Sequence, residues 1–401
     1  MQIDSCRSCG SKRLSSILNL GKQPWCNELV SEDQDTVPTY PLHLVACLDC
    51  ELLQLDFTVP KEKMFSNHGY LSGMTKTLLE HFLEVAKENK DQFGLKVGDL
   101  IVDIGGNDGS QLMQYQKLGL DNVVNVESAS NIADISKGNN VPTINDFFNE
   151  DIVRYNFDEG EAKLINAAGV FFHLEELHSV IKGIKYLLAA DGVFTVQCMY
   201  AGELIKGGSF DMIYHEHLCY YTLRSLSTLL SPYGLEVFDA RFSPIHSGSL
   251  IVKVGHRGKR VATDQYRETL EEDSRFTLSE FRRFADKIRK NRFQLKTFLV
   301  NLKYKKNRIY AYGAPAKGNT LLNYECISND VIDKAVEINP LKIGYRLPCS
   351  NIPIQKESKE DCPDYYLLLS HNFSDEIIKK NEDIIQKGVK FITPFPRVKV
   401  L

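Results

Sequence analysis

Two pairs of cysteines, Cys6-Arg7-Ser8-Cys9 and Cys47-Leu48-Asp49-Cys50, constrain the amino-terminal segment of this chain more tightly than any other feature. Each CxxC knuckle presents two sulfurs to one tetrahedral ion, and the ion crosslinks a segment too small to have a core of its own. In zinc-finger peptides such a site contributes about 10–16 kcal/mol, and that binding energy is folding energy. A redox-active CxxC would need one reactive pair at a helix start, not two matched pairs. The pattern therefore predicts structural zinc on Cys6, Cys9, Cys47 and Cys50, although the linker is longer than in a compact ribbon. Four thiolates leave no open position for a catalytic role.

A chain of 401 residues is too long for one ordinary domain. Its 43% hydrophobic and 25% charged residues are those of a globular protein. The net charge of -4 and the lack of a sustained Lys/Arg run argue against nucleic acid as a partner. No apolar stretch reaches transmembrane length, and MQIDSCRSCG lacks the features of a secretory signal, so the expectation is a cytoplasmic protein with reduced thiols.

After Tyr70, apolar residues recur at helical spacing from Leu78 to Ala86. An apolar strand, Leu100 to Ile104, then runs into Gly105-Gly106-Asn107-Asp108-Gly109 and a helix. A second strand, Asn122 to Val126, ends in Glu127, near the spacing at which an acid meets ribose hydroxyls. Strand and helix signals keep alternating through Lys163–Ala167, Gly192–Val196 and Leu235–Val237, which predicts an α/β fold with a doubly wound, mostly parallel sheet. Glycine loops of this kind bind dinucleotides or S-adenosylmethionine. Here the third glycine of GxGxxG is missing, and Asn107 and Asp108 suit a ligand without a pyrophosphate, which favours S-adenosylmethionine.

Between Phe210 and Tyr221 the chain reads FDMIYHEHLCYY, with two histidines, a glutamate and three tyrosines. Imidazole exchanges protons near neutral pH, and phenols can hold an oxyanion. One reading is a pair of core or interface histidines. The density of proton-handling groups favours an active site. If the segment is extended, His215 and His217 share one face while Tyr214 and Glu216 share the other. That pairing could chelate a metal, but no third ligand stands at matched spacing.

A charged stretch from Asp264 to Lys303, with Phe and Leu at helical intervals, predicts a bridging helix pair. A second strand–loop–helix follows: Arg308 to Tyr312, then GAPAKGNT, then LLNY, with Glu337 ending the next strand. Lys317 precedes the second glycine where a P-loop lysine follows it, so a kinase or ATPase is disfavoured. The loop could still bind phosphate through backbone amides, with Lys317 adding charge or standing as a plain surface lysine.

In order, paired CxxC knuckles, IGxNDG, YHEHLxYY, HxGSL and YGAPAKGNTLLNY resemble the S-adenosylmethionine-dependent sugar C-methyltransferases that act at C3 of nucleotide-linked 4-keto deoxysugars. The resemblance spans essentially the whole chain. It implies a zinc-binding domain (1–69), a class I methyltransferase domain (70–257), a helical linker (258–303) and a Rossmann-like domain that holds the nucleotide-diphosphate sugar (304–401). By motif position, His217 would be the base, with Tyr214, Glu216, His173 and Tyr70 in the same pocket. Gly105, Asn107, Asp108, Glu127 and Asn166 would hold the cofactor, and Lys317, Asn319 and His246 the substrate. Gln197 and Ser247 depart from the family pattern near the expected pocket, and Cys349 replaces a glycine. Rival readings are an O- or N-methyltransferase on a related nucleotide sugar, or a catalytically silent zinc-containing binding protein.

Overall fold

The computed structural model describes every residue from 1 to 401 except 35, 36, 68, 246 and 247. The expected His246 and its neighbour Ser247 lie outside the described residues.

Strands β1 (Leu14–Pro24), β2 (Thr39–Cys47) and β3 (Leu53–Leu55) form an antiparallel meander. Pairing of Leu14 with Cys47 brings the start of β1 beside the end of β2, and so sets the two knuckles side by side. The long linker between knuckles is this hairpin, which leaves and returns. Both knuckles make the same turn: Gly10 N donates to Cys6 O at 3.0 Å and Glu51 N to Cys47 O at 3.1 Å. Ser8 N and Asp49 N each donate to a cysteine sulfur, at 3.4 Å. The ligand atoms of Cys6, Cys9, Cys47 and Cys50 all lie within 4.8 Å of one another. Cys6 and Cys50 sulfurs are 3.5 Å apart, and Cys9 and Cys47 sulfurs 3.6 Å. Sulfurs about 2.3 Å from a tetrahedral zinc stand roughly 3.8 Å from each other, so the four fit that ion.

The central sheet is built from β4 (Leu100–Ile104), β5 (Val123–Val126), β6 (Thr143–Ile144), β7 (Ala162–Ala168) and β8 (Leu188–Met199). Strand β9 (Cys219–Tyr220) leaves it, and β10 (Leu235–Ser243) and β11 (Ser249–His256) complete it. The order is β10–β11–β8–β7–β4–β5–β6, parallel except for β11, as the alternating signals predict. The chain winds outward from β4 to β6 and then returns to β7, so a crevice opens at the carboxyl ends of β4 and β7.

Strand β9 pairs instead with β3 of the zinc module, Leu53 opposite Tyr220 and Gln54 opposite Cys219. The end of FDMIYHEHLCYY is thereby the fourth strand of the zinc sheet.

The bridging segment holds three helices, Asp264–Asp273, Leu278–Asn291 and Gln294–Tyr304, rather than the expected pair. In the second, Phe281, Phe284, Ala285 and Ile288 are buried on one face while the charged residues cover the other. Beyond it, β12 (Ile309–Tyr312), β13 (Lys334–Glu337), β14 (Ile354–Lys356), β15 (Tyr365–Leu368), β16 (Lys390–Thr393) and β17 (Lys399–Val400) form a third sheet. Its order is β14–β13–β12–β15–β16–β17, parallel except for β17. One buried apolar cluster runs through all three sheets, from Leu18 and Leu44 through Val102 and Phe194 to Ile309 and Leu367. Among the described residues, no helix is long and apolar enough to cross a membrane.

Because the zinc sheet includes β9, metal loss should reach beyond the module itself. The expected result is one zinc per chain by metal analysis, with Cys47→Ser lowering both zinc content and methyl transfer. A metal-free protein with unchanged melting temperature and activity would contradict a structural zinc.

Candidate active site

Left-handed backbone at Gly105, Asn107 and Gly109 (φ of 61°, 52° and 79°) folds the loop after β4 into a tight cradle. A Cβ at Gly105 would stand 2.6 Å from Val170 Cγ2, and one at Gly106 would stand 2.6 Å from Asn125 Oδ1, so the glycines are sterically required. Glu127, at the tip of β5, closes the cradle: Oε2 accepts from Asn107 N at 3.0 Å and Oε1 from Ala129 N at 2.8 Å. Those bonds fix the carboxylate at the mouth of the loop.

The side chains of Asn107 and Asp108 hold the preceding segment over the loop. Asn107 Oδ1 accepts from Ser72 N at 2.9 Å, its Nδ2 donates to Tyr70 O at 3.2 Å, and Asp108 Oδ2 accepts from Gly73 N at 2.8 Å. This places Tyr70, 46% exposed, beside the cofactor cradle. Asn166 pairs in register with Asp103 at the floor of the crevice and is fully buried, its Oδ1 accepting from Tyr115 OH at 3.3 Å. Its Nδ2 and both Asp103 oxygens have no hydrogen-bond partner among the described residues. Burial, then the Glu127 charge, pushes Asp103 up to about 7. Asp103 lies inside the strand read as apolar and went unsingled in the sequence.

The YHEH segment is a turn, which corrects the extended geometry expected from the sequence. His217 N donates to Tyr214 O at 2.9 Å, and the side chains no longer alternate. His215, 1% exposed, turns to the zinc sheet, with Nε2 3.2 Å from Pro41 O and its ring edge-on to Tyr40. The two histidines therefore share no face, and the only cluster of metal-ligating residues among the described ones is that of the four cysteines.

His217, 3% exposed, stands against Tyr214 with ring centroids 3.8 Å apart, and 5.0 Å from the His173 ring. Its Nδ1 lies 2.8 Å from Met212 O, and His173 Nδ1 lies 2.6 Å from Glu216 O. A carbonyl only accepts, so each Nδ1 carries a proton and turns Nε2 away from that carbonyl. Burial, and then Glu216, drives the Tyr214 phenol well above its ordinary range, so it stays protonated and can donate. The structure thus brings His217, His173 and Tyr214 together.

Glu216 faces the other way. Its Oε1 accepts from Trp25 Nε1 and Asn27 Nδ2, both at 2.6 Å, so the zinc module fixes the turn from outside the His217–His173–Tyr214 ring cluster. Trp25, the one tryptophan of the chain, and Asn27 were not legible as site residues, since nothing in their local sequence marks them.

The helix after β12 begins at Ala316, so Lys317 and Asn319 are helical, and the loop is confined to Gly313–Pro315. Asn319 Nδ2 donates to Cys26 O at 2.6 Å, and Thr320 Oγ1 to Ile213 O at 3.1 Å, so this helix meets both the zinc module and the residue that leads into the YHEH turn. Lys317 is 8% exposed, with Nζ 2.6 Å from Asn372 Oδ1 and 3.1 Å from His371 Nε2, which in turn lies 2.7 Å from the buried Asp211 carboxylate. Gln197 bonds His81 and Ser249, each at 2.8 Å, so the departure from the family pattern there is accommodated by local partners.

Three family models match the chain: a zinc binding domain over residues 6–65, a methyltransferase domain over 77–240, and a C-methyltransferase C-terminal domain over 244–396. Over its full length the chain is 31% identical to the C-methyltransferase NovU of Streptomyces niveus, covering 97% of that protein. The chain belongs to the C-methyltransferase family. Similar solved structures include geranyl diphosphate C-methyltransferase from Streptomyces coelicolor A3(2), at 11% identity and a TM-score of 0.37 over 49% of this chain and 99% of that one. The CcbJ methyltransferase from Streptomyces caelestis gives 16% identity and a TM-score of 0.34 over 44% of this chain and 90% of that one. This C-methyltransferase uses S-adenosylmethionine and has a four-cysteine zinc site.

If Glu127 accepts from the cofactor ribose, losing those bonds to a charged acceptor costs about 1.5–3 kcal/mol. Calorimetric titration of Glu127→Ala should then show S-adenosylmethionine bound roughly tenfold or more weakly. An unchanged dissociation constant would place the ribose elsewhere.

Proposed function

We propose that this C-methyltransferase adds a methyl group at C3 of a nucleotide-diphosphate-linked 4-keto-6-deoxysugar, through an enolate. The observation that carries the reading is His217. It is buried, its Nδ1 proton is held by Met212 O, and its ring packs at a tilt of 38° against a phenol that stays protonated. A carbon next to a ketone loses a proton only if a base receives it and the resulting oxyanion finds donors.

In this reading His217 Nε2 takes the C3 proton, and the C–H electron pair moves into the C3–C4 bond as the ketone becomes an enolate. The Tyr214 hydroxyl donates to the developing oxyanion, and His173 orders the other side of the ring cluster. S-adenosylmethionine at the Gly105–Glu127 cradle supplies an electrophilic methyl group when bound. Carbon–carbon bond formation restores the ketone, and His217 returns its proton to solvent. Tyr70, tethered to the cradle through Asn107, covers the reacting groups from the solvent side. Four thiolates fill the coordination of the zinc, so its contribution is to hold the module that carries Trp25 and Asn27.

General bases typically contribute about 10²–10⁴-fold to rate. His217→Ala should therefore lose turnover on that scale with a panel of nucleotide-linked 4-keto sugars, while retaining cofactor affinity. It should also lose exchange of the C3 proton with deuterated water, followed by mass without methyl donor. Exchange at the wild-type rate would move the base to another residue, and methylation of 4-hydroxy sugars at an oxygen would overturn the substrate class.

A further inference from the structure

The crevice at the end of β12 repeats the hydrogen-bond plan of the cofactor cradle. In the central sheet, Gly105 N donates to Val126 O at 2.8 Å and the next strand ends in Glu127, which accepts from the loop at Asn107 N. In the third sheet, Gly313 N donates to Val336 O at 2.9 Å, and Glu337, ending that strand, accepts from the loop at Ala314 N at 2.9 Å. Gly313 has φ of 83°, as Gly105 has 61°. Two strand–turn–helix crevices thus each carry an acid at the tip of the neighbouring strand. In the reading above, the cofactor takes only the first.

The second crevice holds a cation that the sequence did not mark. Lys342 follows the Glu337 strand and reaches back, with Nζ donating to Ala314 O at 2.8 Å. An ammonium has three donors, and a single carbonyl uses one. Among the described residues Lys342 makes no ion pair, yet its side chain is sunk far enough that burial pulls its pKa below the ordinary lysine range. The acids whose charges reach it are Glu337 and Glu216. A desolvated cation without a counter-ion is costly unless an anion completes it. Lys317 is desolvated too, but its ammonium already has two partners, Asn372 and His371, with Asp211 behind His371.

We propose that Lys342, not Lys317, is the cation that receives the diphosphate of the substrate. The inference rests on the sugar-nucleotide reading above. It sets the nucleoside toward Glu337, the sugar toward the Glu216–His217 turn, and the two phosphoryl groups between them at the Ala314 edge. A point charge on a flexible stem suits phosphoryl oxygens that must be gripped and then released with the product.

The test is calorimetric titration of the full-length, zinc-loaded protein with thymidine, uridine, cytidine and guanosine 5′-diphosphates, without sugar or methyl donor. At least one should bind, and Lys342→Ala should weaken that binding about 10- to 100-fold, the loss expected for hydrogen bonds to a charged group. Lys342→Arg should keep most of the affinity, inorganic pyrophosphate should compete, and S-adenosylmethionine should bind both variants as it binds the wild type. Failure of all four diphosphates to bind, wild-type affinity in Lys342→Ala, or a loss found only in Lys317→Ala would each overturn the assignment. Because no methyl transfer is read, a nucleotide bound through Lys342 stands even if the methylated atom is not C3. Conversely, C3 methylation with no dependence of nucleotide affinity on Lys342 removes this proposal alone.

Discussion

The pairing of β9 with β3 is the contact on which the candidate site depends. It takes a segment that the central sheet could not hold and makes it part of the zinc sheet, so the turn carrying His217 is suspended between two domains. Leu55 N to Leu218 O, at 2.9 Å, extends the same ladder to the residue next to His217. Zinc is needed in this scheme because a three-strand meander with short β3 has little core of its own, and the thiolate crosslink supplies the rigidity that an edge strand requires. The metal's effect on chemistry is thus positional. Trp25 and Asn27 extend it by holding Glu216, the residue beside His217, from the same module.

The helix Ala316–Tyr324 closes the arrangement from the third side, through Asn319 to Cys26 and Thr320 to Ile213. Each bond joins a buried side chain to a backbone carbonyl, and such groups cost free energy when left unpaired, so the domains are held by polar satisfaction as well as by the continuous apolar core. The buried Asp211–His371–Lys317–Asn372 group belongs to the same interface. The segment around His217 is in this way held by contacts from all three domains.

The expected site residues fall into distinct places. His217, His173 and Tyr214 come together as one ring cluster, whereas His215 packs against Tyr40 and Glu216 turns to the zinc module. Asn107 and Asp108 reach the cradle but spend their side chains on Tyr70, Ser72 and Gly73. An alternation argument for residues 214–217 assumed a strand. The chain turns there instead, because the neighbouring β9 must leave for another sheet.

By itself, the sequence determined the features that are local in the chain: the four-cysteine knuckles, the glycine turn ending in an acid-tipped strand, the alternation that dictates a parallel sheet, and the concentration of proton carriers in FDMIYHEHLCYY. Each is written in residues a few positions apart, where spacing fixes geometry. Only the tertiary structure decided which nitrogen of His217 meets Met212 O, which domain orients Glu216, and which partners the ammonium groups of Lys317 and Lys342 find. Trp25 lies 191 positions from Glu216 in the chain, and Lys342 reaches Ala314 across 28. Contacts of that separation leave no period or motif in the sequence, because they are set by how three independently patterned sheets dock on one another.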